Sequence, residues 1–597
     1  MVRFELSDCS PDAVALLSER LGVSDAVGQV LVRRGYGDPE RARAFLAADE
    51  RHELDAFAGL HGAARLILDH LDRGSQITIH GDYDVDGVCS TAILIRTLRA
   101  LGAACDWYLP DRAEDGYGLS AATVQRLAGR GTGLLITVDC GITAVEEVAL
   151  ARSLGIEVIV SDHHLPHADG VLPQAPIVHP VLCGYPCRDL CAAGVAYKLA
   201  QATLQAAGHD PARADADLDL VALATIADVV ALQGENRSLV RRGLRALAAT
   251  AKPGLRALMS VARVDPSKVN ERAVGFGLAP RINAAGRLYR ADAALELILT
   301  EDPLRGAQIA DELDRANSER RQTEQEIRIQ AEAQIAELGD PSERSAYVLA
   351  GEGWHPGVIG IVASRLVEYH RRPVVLVALQ GERGRGSGRS VEGYDLLAGL
   401  TACAGHLGRY GGHSAAAGVE VGRDSLPAFA AALNAHAART LSADDLIARD
   451  RVDAVVGGAQ LGMELAEELA GLAPFGKGNP AVSLMIPGAR LRDVRPMGEG
   501  KHTRFTVESD GFHARAVAFG NDGKLGVAQD EPVDVTFRLE VNEWNGVSEP
   551  RIVLRHAQPA CEGATLKPCP TDSQSQFTLF QLPEPLKEPL AVGAARS

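Results

Sequence analysis

The stretch Gln76-Ile77-Thr78-Ile79-His80-Gly81-Asp82-Tyr83-Asp84-Val85-Asp86-Gly87 constrains this chain more than any other. An alternating apolar strand runs directly into a loop that carries one histidine and three aspartates. Carboxylates this close raise one another's pKa unless a cation sits among them. Two further strand-like runs end in residues of the same kind: Leu134 to Asp139, and Ile156 to Val160 followed by Ser161-Asp162-His163-His164. Three strands ending in such ligands predict a divalent-metal site. Its expected place is the carboxyl edge of a parallel sheet, where α/β folds put their chemistry.

The residue types suggest the division of labour. In a loop leaving a strand, His80, Asp84 and Asp86 can turn toward one cavity. Two metals about 3.5–4 Å apart need a shared carboxylate, and Asp139 on a neighbouring strand is the natural bridge. His163 adds a nitrogen ligand and leaves His164 to meet a substrate. Asp228 is a lone acid in the apolar run Ala224–Val230, and it needs a reason to be buried there. An oxygen-rich set with histidine favours Mn²⁺ or Mg²⁺. Asp84, Asp86, Asp139, His163 and His164 are therefore the candidate catalytic residues.

At 597 residues the chain is expected to hold roughly three or four domains. No apolar run reaches the length of about 18 residues that a membrane span needs. The start Met1-Val2-Arg3-Phe4-Glu5 lacks the basic-then-apolar pattern of a signal peptide, so the cytoplasm is the expected location. Ten irregularly placed cysteines suit reduced thiols. His179, Cys183, Cys187 and Cys191 share a four-residue period, but Pro180 and Pro186 interrupt it and zinc is not expected. The net charge of −17 disfavours nucleic-acid binding by bulk charge. Local arginines count against that, with Arg371, Arg372, Arg383, Arg385 and Arg389 close together.

Residues 1–60 read as an N-terminal helical segment suited to docking. Residues 61–300 alternate strands and helices in βαβ fashion, and 301–340 read as one connecting helix, solvated and supported by pairs such as Glu324 with Arg328. A smaller α/β domain is expected over 341–440. A β-rich, OB-like nucleic-acid-binding domain is expected over 450–557, with Lys477, Lys501, Arg504 and Phe505 as candidate contacts. Residues 558–597 read as a disordered tail.

The ordered set His80-Gly-Asp-Tyr-Asp-Val-Asp86, Val138-Asp139 and Asp162-His163-His164 resembles the DHH phosphoesterase superfamily. Gly353–Gly360, Gly386-Ser387-Gly388-Arg389-Ser390 and Gly411–Gly418 resemble its associated DHHA1 domain. The whole arrangement is similar to the bacterial single-strand-specific 5′→3′ exonucleases of that superfamily. The resemblance implies an α/β fold: a DHH domain with a parallel sheet, a long helix, a smaller DHHA1 domain and a β-rich OB-like domain. It implies two ions, Mn²⁺ or Mg²⁺. His80, Asp84 and Asp139 would hold one, and Asp86, Asp139, His163 and Asp228 the other, with Asp82 available to join. It also implies two-metal hydrolysis of single-stranded DNA to nucleoside 5′-monophosphates, in recombination and repair.

Arg281, Asn283 and Arg287, on a small-residue and tightly turning segment, are candidate substrate contacts, since guanidinium forks match phosphate oxygens. Ser387, Arg389 and His413 join them, with neighbouring glycines read as letting the backbone approach a phosphate. A short-oligonucleotide or cyclic-dinucleotide phosphodiesterase would leave the β domain without a task. A scaffold that had lost its ligands would not keep every ligand position filled. In the tail, Gln576-Phe577-Thr578-Leu579-Phe580 is similar to peptides that dock on the sliding clamp; the single-strand-binding protein is the other candidate partner. A monomer is expected.

Overall fold

Strand β1 (Gln76–His80) is buried on both faces, as a central parallel strand must be, although its sequence alternates Ile77 and Ile79 with the equally buried Thr78 and His80. It lies between β2 (Cys105–Tyr108) and β3 (Thr132–Val138), followed outward by β4 (Glu157–Ser161) and the short β5 (Ile177–Val178). Every pairing is parallel, giving the order β2–β1–β3–β4–β5. His80 is level with Thr137, and Val138 with Ser161. The carboxyl ends of β1, β3 and β4 therefore open side by side. The computed structural model describes residues 2–560 except 111–117, 168, 289–291 and 545.

The described chain divides into two compact units. The larger is built from Phe4–Ala279, Leu295–Ala307 and the chain from Asp450 on; the smaller is mainly Pro280–Ala294 and Gln308–Arg449.

In the smaller unit, β6 (Tyr347–Glu352), β7 (Val374–Gln380), β8 (Arg383–Arg389), β9 (Arg409–Gly412) and β10 (Ala416–Gly422) form one sheet in the order β9–β10–β8–β7–β6. The connecting helix is a single element, Pro303–Glu337, of 35 residues. It is less solvated than its composition suggests. Ile327, Ala331 and Ile335 are buried in the same core as Tyr347 and Val358, so this stretch is part of the domain's packing. Glu324 also departs from expectation: it is buried and pairs with Arg365 at 2.6 Å rather than with Arg328, because a buried carboxylate needs a fixed partner.

In the larger unit, β11 (Leu484–Met497), β12 (His502–Ser509), β13 (Phe512–Ala518), β14 (Pro532–Trp544) and β15 (Val547–Pro559) close into a five-stranded barrel. The order is β11–β12–β13–β15–β14, with β11 pairing β14 to shut it. Phe505, expected to contact nucleic acid, is 4% exposed and fills the barrel core instead. On β12 it shares the inward register with Thr503 and Val507, while Arg504 faces out.

The N-terminal helices Pro11–Leu21, Asp25–Arg33 and Pro39–Ala47 do dock, and their partner is this chain's own barrel region. Leu17, Val27, Val30, Leu31 and Phe45 share one core with Leu465, Leu484 and Phe537. A buried bidentate pair, Arg34 to Asp453 at 3.0 and 2.8 Å, ties the same two regions. Arg237 completes the junction. Its guanidinium donates to the carbonyls of Phe45, Leu472, Ala473 and Pro474 and lies 4.0 Å over the Phe45 ring.

Candidate metal centre

The loop after β1 is shaped by its glycines. A Cβ on Gly87 would lie 2.5 Å from the Asp82 backbone, so only glycine lets the loop fold back on the following helix. That helix, Val85–Ala100, is capped by Asp84, whose Oδ1 accepts the N–H groups of Asp86 and Gly87 at 2.9 and 3.2 Å. The first helical turn thus carries Asp86 inward, where it is 2% exposed. Both of its oxygens accept backbone N–H groups at 2.7 Å, from Ala192 and Ala193 at the start of helix Ala192–Ala206.

Asp139 follows β3 with φ +61°, the left-handed region that a non-glycine residue occupies at some cost, a feature that clusters at functional sites. It is 2% exposed. His163 follows β4 and aims Nε2 at three carboxylates: 3.2 Å from Asp139 Oδ1, 3.7 Å from Asp86 Oδ2 and 3.8 Å from Asp228 Oδ2. That buried nitrogen makes no hydrogen bond. Asp228 caps the carboxyl end of helix Leu218–Ala227.

Among the described residues, ligand atoms gather within 4.8 Å of one another in three groups: Asp82, Asp84 and Asp139; Asp86, His163 and Asp228; and Asp139, His163 and His164. Asp139 joins two of them. His80, expected as a ligand, enters none of the three. Its Nδ1 lies 3.4 Å from Cys140 Sγ and its ring stacks on Tyr108, while Asp82 groups with Asp84 and Asp139.

The charges are mutually unfavourable as they stand. Burial, then the Asp84 charge, raises Asp86 to about 7, and burial with the Asp86 charge does the same to Asp228. Asp139 is pushed well up by burial and by Asp86. Burial and the His164 charge push His163 down, favouring the neutral imidazole that binds metal. A bare imidazole nitrogen facing clustered carboxylates, all oxygen or nitrogen donors, fits a hard or borderline divalent cation.

A testable consequence concerns pH. A carboxyl with a folded-state pKa near 7, against about 3.9 when unfolded, holds its proton more tightly in the folded chain. Its stabilisation is complete below pH ~3.9 and is lost as pH rises through 7. In EDTA the melting temperature should therefore fall between pH 6 and pH 8. With saturating Mn²⁺ the fall should vanish, because the cation replaces the protons. Parallel pH profiles with and without Mn²⁺ would contradict the site.

Sequence reasoning passed over Asp162, although it stands beside the two histidines. Its carboxylate accepts N–H groups from Ile142 at 3.0 Å, His163 at 2.7 Å and His164 at 3.1 Å, and it meets His164 Nδ1 at 2.8 Å. Burial opposes its charge, yet the hydrogen bond to His164 prevails and lowers it to about 2. His164 resists burial in turn and is raised to about 9 by Asp162. Asp162 is thus a staple that fixes the His164 ring through Nδ1 and holds the His163 backbone through its N–H.

The expected substrate contacts lie in the smaller unit. Arg281, Asn283 and Arg287 sit on helix Ala279–Leu288 rather than on a turning segment. Arg281 already spends its fork on Asp314 at 2.8 Å, and Arg287 donates to the Gly357 carbonyl at 2.8 Å. Ser387 and Arg389 share one face of β8, half-buried against Gly360 of helix Pro356–His370, with Arg389 Nη1 donating to Ser387 Oγ at 3.1 Å. The interleaved glycines have another reason than phosphate approach. A Cβ on Gly386 would lie 2.5 Å from Val419, and one on Gly388 2.8 Å from Leu396, so they let β8 lie flat on its core. His413 is exposed, and Gly411 beside it faces open space, as a backbone approach to a phosphate requires.

Comparisons with known proteins agree with the domain order and fold. The DHH family, N-terminal domain, matches residues 76–225; the DHHA1 domain matches 343–439; and the RecJ OB domain matches 452–556. The single-stranded-DNA-specific exonuclease RecJ of Bacillus subtilis is 37% identical over 566 residues, covering 93% of this chain and 71% of that one. Among solved structures, RecJ of Thermus thermophilus in complex with Mn²⁺ is similar with a TM-score of 0.82 and 34% identity, covering 94% of this chain and 80% of that one. The Mg²⁺ complex from the same organism is similar with a TM-score of 0.77 and 33% identity, over 94% of this chain and 79% of that one.

Proposed function

The chain belongs to the RecJ family of single-stranded-DNA-specific exonucleases, and on that premise we propose that the carboxylate cluster at the sheet edge is where it cuts the strand. It is a metal-dependent exonuclease. The observation that carries the site is His163 Nε2, buried and without a hydrogen bond among Asp86, Asp139 and Asp228. Asp82, Asp84 and Asp139 would hold one divalent cation, and Asp86, Asp139, His163 and Asp228 the other; His80 remains a candidate ligand for the first. Bound there, Mn²⁺ or Mg²⁺ supplies acidified water and charge neutralisation at phosphorus.

The protein's own residues do the rest. Asp162 holds His164 by Nδ1, which leaves Nε2 as the atom that meets a phosphate oxygen or the departing 3′-oxygen. The Ala192 and Ala193 N–H groups fix Asp86, so the carboxylates need not reorganise during the reaction. A water oxygen bonds to phosphorus as the P–O3′ bond breaks. The released nucleotide keeps a 3′-hydroxyl, and the remaining strand gains a 5′-phosphate. We assign 5′→3′ polarity, nucleoside 5′-monophosphate products and a role in recombination and repair. Single strands labelled at the 5′ or the 3′ end test this. The 5′ label should appear as mononucleotide in the first moments, and early mononucleotide from the 3′ label would reverse the assignment.

Arg281, Asn283, Arg287, Ser387, Arg389 and His413 are proposed to contact the strand. On the barrel, the exposed Phe519, with His502 5.3 Å and Arg551 6.0 Å from its ring, replaces Phe505 as the stacking candidate, beside outward-facing Arg504. Arg389→Ala should lower the magnitude of the log–log salt slope of strand binding by about 0.7, one phosphate's worth on a single strand. Phe519→Ala should weaken binding of long strands while leaving that slope unchanged. An unaltered slope in the first variant would make Arg389 a surface residue only.

We take the working unit to be a cytoplasmic monomer. No helix among the described residues is long and apolar enough to cross a membrane. Gln576–Phe580 lies outside the described residues. Its sequence supports a tether to the sliding clamp, with the single-strand-binding protein as the alternative anchor. Direct titration of the tail with each partner separates the two.

A further inference from the structure

Phe276 is 83% exposed. It stands in the middle of a π-helical turn, Val274–Leu278, between Gly275 and Gly277. Single π turns of this kind are common at functional sites. The turn packs on the helix that ends in Asp228: a Cβ on Gly275 would lie 3.8 Å from Ile226 Cγ2. Directly after Asp228, Val229 is 58% exposed and has φ +57°. A β-branched residue in the left-handed region is an outlier. Unusual backbone therefore holds two apolar side chains in solvent, one beside a candidate metal ligand and one on the turn packed against that ligand's helix.

We propose that Phe276 is a stacking platform for a nucleobase of the bound strand, with Val229 as a second apolar contact near the scissile phosphate. The inference rests on the single-strand exonuclease reading. A base is the occupant because the helix beneath the turn leads into the hydrolytic site, so a strand with a phosphate at Asp228 has bases nearby. A single-strand enzyme that takes any sequence needs contacts to the π-face every base shares, which an aromatic ring supplies. Phe519 lies on the barrel and Phe505 is buried, so neither fills this place beside the metals.

The test uses the full chain with Mn²⁺ and short oligonucleotides, each carrying one abasic position walked inward from the 5′ end. For intact strands Phe276→Ala should raise KM about tenfold with kcat within about twofold. The wild type should lose a similar factor at one abasic position, and Phe276→Ala should lose nothing further there. Phe276→Tyr should restore the wild-type profile. Because Phe276 is exposed, the variants keep the fold. An unchanged KM and abasic profile in Phe276→Ala would overturn the platform while leaving the nuclease reading intact. A change in oligomeric state by light scattering, with the abasic profile unaltered, would overturn it in favour of a second copy covering the ring. A wild type that leaves every strand whole would remove the exonuclease reading and this inference together.

Discussion

Asp139→Asn should lower single-strand hydrolysis by on the order of a thousandfold or more while strand binding changes by less than about threefold. Asp139 belongs to two of the three ligand groups, so one substitution weakens both cation sites at once. Asparagine is the informative replacement, because it tolerates the φ of +61° and keeps the side-chain shape. Alanine would add about 1 kcal/mol of backbone strain to the loss of charge. In EDTA the variant should melt no lower than the wild type, since removing one carboxylate relieves repulsion with Asp86 and Asp84. Full Mn²⁺-dependent turnover in Asp139→Asn would end the two-cation assignment.

The largest stability effect is expected at Arg237. It is 1% exposed, and among the described residues no carboxylate lies within 4 Å of its guanidinium; four carbonyls hold the charge instead. Burial and the neighbouring Arg241 charge lower it to about 10. Arg237→Leu removes the donors and leaves buried carbonyl oxygens unpaired, a cost of about 3–5 kcal/mol for a broken buried polar network. Arg237 lies in the larger unit; at about 1 °C per kcal/mol for a unit of some 400 residues, its melting should fall by roughly 3–6 °C. Cleavage by a protease should then concentrate at Phe45 and at Leu472–Pro474, the segments Arg237 holds. A variant that melts with the wild type would mean the junction is carried by the shared apolar core alone.

That junction alters how the barrel can be tested. Removing the chain from about residue 450 would expose Leu17, Val30, Leu31 and Phe45, which share its core. Substitutions on the barrel surface therefore probe strand binding cleanly, and truncation does not.

The candidate metal centre was legible because its signals are local. Strand, loop and ligand follow one another three times, and a parallel sheet must bring such ends together. Asp162 was quoted with its histidines yet missed as a staple, since its partner Ile142 N–H comes from the loop after the neighbouring strand β3. The hold on Asp86 was invisible for a different reason: backbone N–H groups of Ala192 and Ala193 have no side-chain signature. Phe505 was misread despite a signal that was present. In Thr503-Arg504-Phe505-Thr506-Val507 the apolar register is Phe505 with Val507, and a closed barrel turns that register inward. The N-terminal helices showed an apolar face, but an apolar face does not name what covers it, and here the cover lies some 400 residues away in the sequence. Glycines in β8 suggested a close approach to phosphate for a similar reason, since a strand crossing close to valine and leucine side chains also needs them.

The central claim is that two cations share Asp139 at the edge of the parallel sheet and that hydrolysis needs both. Calorimetric titration of the metal-free chain with Mn²⁺, run beside single-turnover degradation of a short single strand at each Mn²⁺ concentration, measures it directly. The account predicts two sites per chain, cleavage that appears only as the second fills, and complete loss of cleavage in EDTA. One site per chain with full cleavage, or cleavage that persists in EDTA, would contradict it.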